Sequence, residues 1–302
     1  MKKAIFASKK TKDVIFCLLI LLVPMVQFAI FYVGVNINSF VMAFQKYEVN
    51  PETNLGSYVA NGFGNFKDMF FQIKHDGVFG VALKNSLVSF VMITLVGITF
   101  ALVFSLYIFK KMPCSGMFRV LLFAPSILSA VVTVTMYRFF VEGAVPVMFG
   151  LKQGLLGNAE TKMGTIIFFN IWIGFGTQIL MYSGAMNGID PSITEAAKLD
   201  GANSFVEFFY IILPLIFPTI QTFVVTGVAS LFVNQINLVA FEGLGAEGKY
   251  MTVGYYLFKN TEAATQYQYP LLATYGICLT LIAAPLTLFI RWAMEKFGPS
   301  VE

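Results

Sequence analysis

The chain has 302 residues, of which 57% are apolar and 12% charged, and its mean hydropathy is +0.75. This composition excludes a soluble globular domain and indicates a chain whose solvent is mainly lipid. The net charge of +4 is modest, and the lysines are not gathered among aromatic residues as a nucleic-acid-binding surface requires. Cys17, Cys114 and Cys278 have neither metal-ligand spacing nor the spacing of a disulfide framework, so no metal site is expected.

The N-terminal segment, residues 1–13, is basic, and an apolar run follows over residues 14–35. This run is longer than the core of a signal peptide, and no small-x-small cleavage site follows it. We therefore expect an uncleaved first membrane span, with signal-peptide cleavage as the alternative.

Six apolar runs are long enough to cross about 30 Å of hydrocarbon as helices. They are continuous, whereas the strands of a membrane β-barrel alternate in polarity. The sequence therefore predicts an all-α polytopic membrane protein, with one transmembrane domain over residues 14–302. The six predicted spans cover about residues 14–35, 85–109, 118–140, 164–186, 217–239 and 271–292.

Basic residues near the span ends predict the orientation of the chain. The N-terminal lysines fall on the same side as Lys110, Lys111 and Arg119 between spans two and three, and Arg291 and Lys296 after span six. We expect that side to be the cytoplasm, with both termini inside a bacterial cell membrane.

The polar loop between spans four and five contains the signals of a short helix. Asp190 or Ser192 is suited to cap it, Pro191 fits an early helical position, and Ser192-x-x-Glu195 forms a capping box. Gly201 is suited to the positive φ that ends a helix and turns the chain.

A second capping box, Ser204-x-x-Glu207, follows in the same loop. The loop is therefore predicted to form a short helix, a tight turn and a second helix. On periodicity alone, an amphipathic connector resting on the lipid surface is the alternative.

This loop, residues 187–214, resembles the EAA loop of binding-protein-dependent ABC importers. The pattern of that loop is Glu-Ala-Ala, three residues, Gly, nine residues, Ile-x-Leu-Pro, and this sequence matches it at Glu195, Ala196, Ala197, Gly201, Ile211, Leu213 and Pro214. The resemblance implies the permease fold of type I ABC importers, in which the loop forms a coupling helix that docks on an ATPase subunit. The residues expected to couple to the ATPase are Glu195, Ala196, Ala197, Asp200, Gly201, Leu213 and Pro214.

A looser similarity covers most of the chain. The motifs that carry it are Phe118-Arg119 with Pro125, Asn170-Ile171-Trp172 and Asp200-Gly201-Ala202, and they resemble the carbohydrate-uptake branch, particularly the first membrane subunit of maltose-type and oligosaccharide transporters. The resemblance implies a heterodimer with a second homologous permease, two ABC ATPase subunits, an extracellular solute-binding protein and a carbohydrate substrate. Residues 242–248 differ from the Thr-Gly-Gly-Pro turn that members often carry, which weakens the transfer of a specific sugar.

The centres of the six predicted spans contain no Asp, Glu, Lys or His, whereas ion-coupled transporters hold such groups at membrane depth. The segment from Gly243 to Lys249 imitates a P-loop, but Tyr250 follows where Ser or Thr is required. His75 has no nucleophile or metal set around it. We expect a transport subunit that is not an enzyme and binds no cofactor itself, with ATP and Mg on the partner ATPase subunits.

Polar side chains recur every four residues in span five and keep the same period in span four. Neutral amides, hydroxyls and an aromatic ring suit an uncharged, hydroxyl-rich substrate. The alternative is that Thr and Ser bond to their own helix carbonyls, the preferred interpretation for them, and that amides join helices. The predicted substrate pathway comprises Asn170, Trp172, Gln178, Tyr182, Ser230, Asn234, Gln235 and Asn237, with Thr222 and Thr226 on the same stripe.

The sequence thus predicts the permease subunit of an ATP-driven importer that translocates a sugar or oligosaccharide. A permease of the same type for a polyol, glycerol phosphate or peptide is the alternative, and a secondary transporter or membrane enzyme is a remote third. A phosphorylated substrate would require Arg or Lys in the pathway, and the span centres lack them.

Overall fold

The computed structural model describes residues 2–299, with side-chain surroundings from residue 13 onward. Apart from one two-stranded hairpin, the described regular structure is helical. The α-helices are α1 (Lys2–Gln27), α2 (Val35–Met42), α3 (Gly64–His75), α4 (Gly77–Phe109), α5 (Ser115–Ile127), α6 (Ala130–Phe139), α7 (Val145–Phe149), α8 (Lys162–Asn187), α9 (Pro191–Leu199), α10 (Ser204–Glu207), α11 (Leu213–Leu215), α12 (Phe217–Ala229), α13 (Leu238–Glu242), α14 (Val253–Glu262) and α15 (Tyr269–Phe297). The strands are β1 (Gln45–Val49) and β2 (Gly56–Ala60), Phe28–Gly34, Phe140–Ala144 and Phe208–Ile212 are π-helical, and Gly248–Tyr250 is a 3₁₀ turn.

Five helical stretches are long and apolar enough to cross a membrane, and a bent pair of helices makes a sixth. The predicted class, an all-α polytopic membrane protein with six spans, is confirmed. Four spans are longer than predicted; α4, for example, begins eight residues early because the Asp76 carboxylate accepts a hydrogen bond from Val78 N at 3.2 Å and caps the helix. The five stretches are Asp13–Met42, Gly77–Phe109, Ala130–Phe149, Lys162–Asn187 and Tyr269–Phe297.

The predicted third span, residues 118–140, is not one helix. Helix α5 ends at Ile127, Leu128 is extended, and the Ser129 hydroxyl caps α6 by accepting a hydrogen bond from the backbone N–H three residues later at 3.4 Å. Pro125 lacks an N–H and weakens the last turn of α5, and Ser129 supplies the start of a new helix. The prediction of a continuous helix is wrong because apolar composition conceals a capped break.

The predicted fifth span, residues 217–239, differs from the structure, in which a bend lies just before residue 217 and the helix ends at Ala229. Ser204–Leu215 and Phe217–Ala229 are bent by 65°, because Pro218 in the first turn of α12 has no N–H to donate to the preceding turn. Helix α12 ends at Ala229 and α13 begins at Leu238. The prediction of helix is therefore wrong for residues 230–237. We call residues 204–229 span five and residues 230–237 the span-five turn.

The chain forms two compact units, of which the first contains the chain up to Gln72 together with Ala263–Cys278. It includes the β1–β2 hairpin, which is antiparallel with Tyr47 opposite Tyr58. The rings of these two tyrosines pack with centroids 5.2 Å apart. The side-chain amide of Asn65 donates to the carbonyls of Ala43 and Gln45 at 2.8 and 2.6 Å. This buried amide fixes the start of the hairpin against α3.

The second unit contains Ile73–Glu262 and the chain from Leu279 onward, and its core lies between α4 and α8. Ala101 and Ile108 of α4 pack against Ile179 and Tyr182 of α8, and the Ser105 hydroxyl donates to the Ile179 carbonyl at 3.2 Å. These two long helices form the frame on which span five lies. The single transmembrane domain over residues 14–302 remains a prediction. Residues 300–302 of this domain and residue 1 of the N-terminal segment lie outside the described residues.

A glycine sets the distance between α5 and α8. A Cβ at Gly176 would lie 2.6 Å from the Leu122 carbonyl oxygen, whereas a Cβ at Gly174 would meet nothing within 4 Å. We expect Gly176→Val to destabilise the chain by about 1–3 kcal/mol, because backbone must move to admit the side chain. Thermal unfolding of the purified chain in detergent measures the effect, and Gly174→Val is the matched control. An unchanged unfolding temperature in Gly176→Val would contradict the close packing.

Candidate functional site

The coupling loop, residues 187–214, begins with a capped helix. The Asp190 carboxylate accepts a hydrogen bond from Ser192 N at 2.9 Å, with Pro191 in the first helical position of α9. This bond holds the pKa of Asp190 below its ordinary value, so the cap stabilises α9 above the ordinary pKa and is lost as the pH falls through the lowered one. The capping box predicted for Ser192 and Glu195 is wrong, because Asp190 occupies the N-cap and Glu195 lies exposed on α9.

Helix α9 ends in a Schellman motif. Ala202 N donates to the Ala197 carbonyl at 2.9 Å, Gly201 N donates to the Lys198 carbonyl at 3.1 Å, and Gly201 has φ +79°. A positive φ at this position is what glycine provides without a steric penalty. The role predicted for Gly201 as the turn residue is confirmed.

The second helix of the loop is capped by a residue that the sequence pattern missed. Asn203, and not Ser204, is the N-cap of α10, and its side-chain oxygen accepts hydrogen bonds from Phe205 N and Val206 N at 3.0 and 2.9 Å. Glu207 takes no part in a capping box with Ser204. Its carboxylate instead forms an ion pair with the ammonium group of Lys110, at the end of α4.

The predicted coupling residues divide between the surface of α9 and the start of span five. Glu195, Ala196, Asp200 and Gly201 are exposed, while Ala197 is buried. The last residue of α9, Leu199, is 89% exposed, so the helix presents an apolar side chain at its end. Leu213 and Pro214 are half-buried in α11 and lie just before the 65° bend, where they shape the helix and do not form its exposed surface.

A cavity of about 200 Å³ lies between α4, α8, α12 and the span-five turn. Its polar lining is neutral and consists of hydroxyl and carboxamide groups. Three predicted pathway residues, Gln178, Ser230 and Asn234, lie on its wall. The remaining lining residues are Ser86, Ser89, Phe90, Ile93, Thr94, Ile98, Phe223, Thr226, Gly227 and Leu231.

Two buried side-chain oxygens have no hydrogen-bond partner within the described part of the chain. They are Oε1 of Gln178 and Oη of Tyr182, one helical turn apart on α8. Buried polar atoms are otherwise almost always paired in proteins, so each indicates a partner that the folded chain itself does not supply. Gln178 is also one of the residues that line the cavity, whereas Tyr182 packs against Phe223 with ring centroids 5.2 Å apart.

The span-five turn is held by two carboxamides. Asn170 donates to the Ile236 carbonyl at 2.9 Å, and Asn237 donates to Oδ1 of Asn170 at 2.8 Å. Ile236 and Asn237 have φ of 46° and 58°, and Oδ1 of Asn234 accepts a hydrogen bond from Ile236 N at 2.8 Å. A β-branched residue at positive φ is strained, so these bonds hold a conformation that the backbone does not prefer.

The other predicted pathway residues lie elsewhere. Gln235 is half-buried in the turn. Trp172 packs against Tyr137 and lines a separate, mainly apolar cavity of about 450 Å³ between α5, α6 and α8. Thr222 and Ser230 donate to carbonyls of their own helix at 2.9 and 3.0 Å, which confirms the back-bonding interpretation for these hydroxyls.

Residues 85–302 match the family described as binding-protein-dependent transport system inner membrane component. The chain belongs to this family. The matched range includes both the coupling loop and the residues that line the cavity, so both features lie within the part of the chain that matches the family.

Relatives and solved structures of transport permeases agree with the family assignment. The chain is 29% identical over 213 residues to the lactose transport system permease protein LacF of Rhizobium radiobacter, covering 67% of this chain and 70% of that protein. It is 25% identical over 253 residues to the diacetylchitobiose uptake system permease protein NgcF of Streptomyces coelicolor, covering 76% and 70%. A chain of the bacterial alginate ABC transporter, solved in complex with alginate pentasaccharide-bound periplasmic protein, has a TM-score of 0.74 and 20% identity and covers 95% of this chain and 96% of its own. The predicted fold of ABC importer permeases is therefore confirmed.

Several residues of this inner membrane component escaped the sequence analysis. Ser86 and Ser89 line the cavity from α4, and their spacing of three in an apolar run was the available signal. The sequence indicates Lys110 as a topology signal and Glu207 as part of a capping box. Nothing in the sequence shows that these two residues pair, because 97 positions separate them.

The turn after α9 generates a prediction about Gly201. Gly201→Val places a β-branched residue at φ +79° and is expected to cost about 1–3 kcal/mol in local stability. Gly201→Asn is the matched control, because Asn tolerates this backbone region. Hydrogen exchange of the α9 amides in the purified chain measures the effect. Equal protection in the two variants would contradict the turn described here.

Proposed function

We propose that this chain is one of two homologous permease subunits of an ATP-driven importer, and that it translocates a neutral sugar or oligosaccharide. The observation that carries the proposal is the neutral cavity lined by hydroxyl and carboxamide side chains. A saccharide hydroxyl donates and accepts hydrogen bonds without carrying charge, which matches this lining. The names of the lactose and diacetylchitobiose relatives support the same substrate class.

The cavity favours a neutral solute over a charged one. None of the described residues that line it carries a charge, so a phosphate or carboxylate would meet no cationic partner there. The transport of another solute, such as a polyol, glycerol phosphate or peptide, is the outcome that would replace the sugar assignment.

The energy for transport is proposed to come from two ABC ATPase subunits, which hold ATP and Mg. Helix α9 supports this proposal because it is rigidly capped at both ends and exposes Glu195, Ala196 and Leu199. The small Ala196 side chain permits close approach of a partner, and Leu199 offers apolar area that is desolvated on docking.

An extracellular binding protein is proposed to deliver the solute, with both chain termini on the cytoplasmic side. The family description names binding-protein-dependent transport, and the structural relative was solved with its periplasmic protein. A second permease that is homologous to this chain but different in sequence is proposed because this chain resembles the first membrane subunit of oligosaccharide transporters.

The coupling assignment predicts the outcome of a charge reversal. In proteoliposomes that contain the complex co-purified through this chain, Glu195→Lys should abolish ATP-dependent uptake of a radiolabelled panel of lactose, maltose and diacetylchitobiose. The reason is that a cation replaces an anion on the proposed docking helix, where unlike charges select the partner. Glu295→Lys is the control, because Glu295 is also exposed but lies outside the coupling loop. Uptake that survives Glu195→Lys would remove Glu195 from the coupling site.

The cavity assignment predicts different effects for two asparagines. Asn234→Asp keeps the acceptor for Ile236 N but replaces a neutral donor on the cavity wall, so sugar uptake should fall about ten-fold, equivalent to about 1.4 kcal/mol, with assembly intact. Asn237→Asp removes the donor to Asn170 and should instead lower the yield and thermal stability of the complex. Uptake and size-exclusion chromatography separate the two effects. Normal uptake by Asn234→Asp would exclude Asn234 from the pathway.

A further inference from the structure

The ion pair between Lys110 and Glu207 joins α4 to the coupling loop. We propose that this pair is a brace that makes the end of α4 and the coupling loop move as one body, and that transport coupled to ATP hydrolysis requires it. The proposal rests on the function proposed above, and it assigns Lys110 and Glu207 as positioning residues.

The two side chains differ in their access to solvent. The Glu207 side chain is 3% exposed and the Lys110 side chain 22% exposed. Lys110 follows the last residue of α4, and Glu207 is the last residue of α10 before the π-helical segment. The pair therefore links the end of α4 to the start of span five.

Apolar contacts alone would not fix these segments in one register. Leu102, Leu106 and Phe109 of α4 pack against a cluster that includes Phe208 and Ile212. Hydrophobic contact is non-directional, so two smooth apolar surfaces can slide without a large change in buried area. A hydrogen-bonded ion pair is directional, so it can hold the two segments in one register.

The caps of the coupling loop extend the brace to α9. Four residues separate α9 from α10, and they are held by the Schellman motif at Gly201 and by the Asn203 cap. A displacement of α9 is therefore transmitted to α10. Beyond α10, the π-helical segment and the 65° bend interrupt span five, so α12 is less directly connected to α9 than α10 is.

Helix α4 is the element that connects the brace to the cavity. It is continuous over 33 residues, about 50 Å, and carries Ser86, Ser89 and Thr94 on the cavity wall. The Lys110–Glu207 pair thus offers a route from the coupling loop to the cavity that bypasses the bend in span five.

A distance measurement tests whether the two segments move together, without any transported solute. Spin labels at the native Cys114 and at Ser204→Cys, with Cys17 and Cys278 replaced by Ala, report across the pair, because Cys114 and Ser204 are both exposed. The complex is compared with and without ATP and vanadate. We expect one narrow distance that trapping leaves unchanged, and a broad or shifted distribution in Lys110→Met/Glu207→Leu. A distance that changes on trapping in the otherwise wild-type pair would overturn the brace.

Transport stoichiometry tests whether the brace is needed for coupling. Lys110→Met/Glu207→Leu removes both charges and keeps apolar volume, so the complex should assemble and hydrolyse ATP while using at least about five-fold more ATP per sugar imported. Lys110→Arg keeps the charge and should couple as wild type does. Arg291→Met/Glu295→Leu removes an exposed pair and is the matched control. Wild-type stoichiometry in Lys110→Met/Glu207→Leu would show that the pair is structural only and would overturn the proposal.

The failure of the proposed function has a different signature. A wild-type complex that carries no vanadate-sensitive ATPase would refute the ABC assignment itself. A wild-type complex that hydrolyses ATP but imports none of the three sugars would refute the substrate class, and the distance measurement would still decide on the brace.

Discussion

Each interruption of span five leaves backbone polar groups that hydrocarbon cannot satisfy, and the arrangement of the neighbouring helices follows from this constraint. At the span-five turn, Asn170 of α8 donates to the Ile236 carbonyl, and the Thr252 hydroxyl donates to the Asn234 carbonyl at 2.9 Å. A Cβ at Gly254 would lie 2.3 Å from the Val233 carbonyl oxygen, so only a glycine admits the backbone that follows. The turn is thus supported by polar side chains and by close packing of backbone on backbone.

This constraint also decides which polar groups are available to a solute. The side chains of Asn170 and Asn237 are hydrogen-bonded to each other, and Asn170 also donates to the turn. The Ser230 hydroxyl donates to a carbonyl of its own helix. Gln178 instead lies on the cavity wall with its oxygen unpartnered among the described residues. The polar residues of α8 and span five therefore include both structural groups and groups suited to binding a solute. Their hydrogen-bond partners distinguish the two kinds of group, whereas their residue types do not.

The sequence sufficed for the number of spans, the helical class and the turn at Gly201, because long apolar runs and a glycine with flanking caps are local signals. It failed at Ser129, where a helix breaks inside an apolar run whose composition does not change, and at Ala229, beyond which polar residues keep a helical spacing although the helix has ended. The stripe through Asn234 and Asn237 assumed helical periodicity beyond Ala229, where the chain is no longer helical. Of the two caps predicted for α9, Asp190 is the one used, and the cap of α10 lies one residue before the predicted Ser204, at Asn203, since several cap-competent residues stand side by side. Contacts between distant segments, such as Lys110 with Glu207, have no local signal at all.

Ion pairs lie at the two ends of span five and its turn, and neutral polar groups lie between them, which fits the proposed role of this segment. Lys110–Glu207 lies at its start, and Lys162–Glu242, with 3.0 Å between nitrogen and oxygen, ties α8 to α13 just beyond the turn. From Phe208 to the end of the span-five turn, the side-chain hydrogen bonds found among the described residues are made by amides and hydroxyls. Breaking a buried ion pair exposes an uncompensated charge at a high cost, whereas an amide can exchange one neutral partner for another at little cost. Ion pairs therefore suit the ends of the element, where relative position must be kept, and neutral groups suit the middle, where hydrogen bonds to a passing saccharide must form and dissociate.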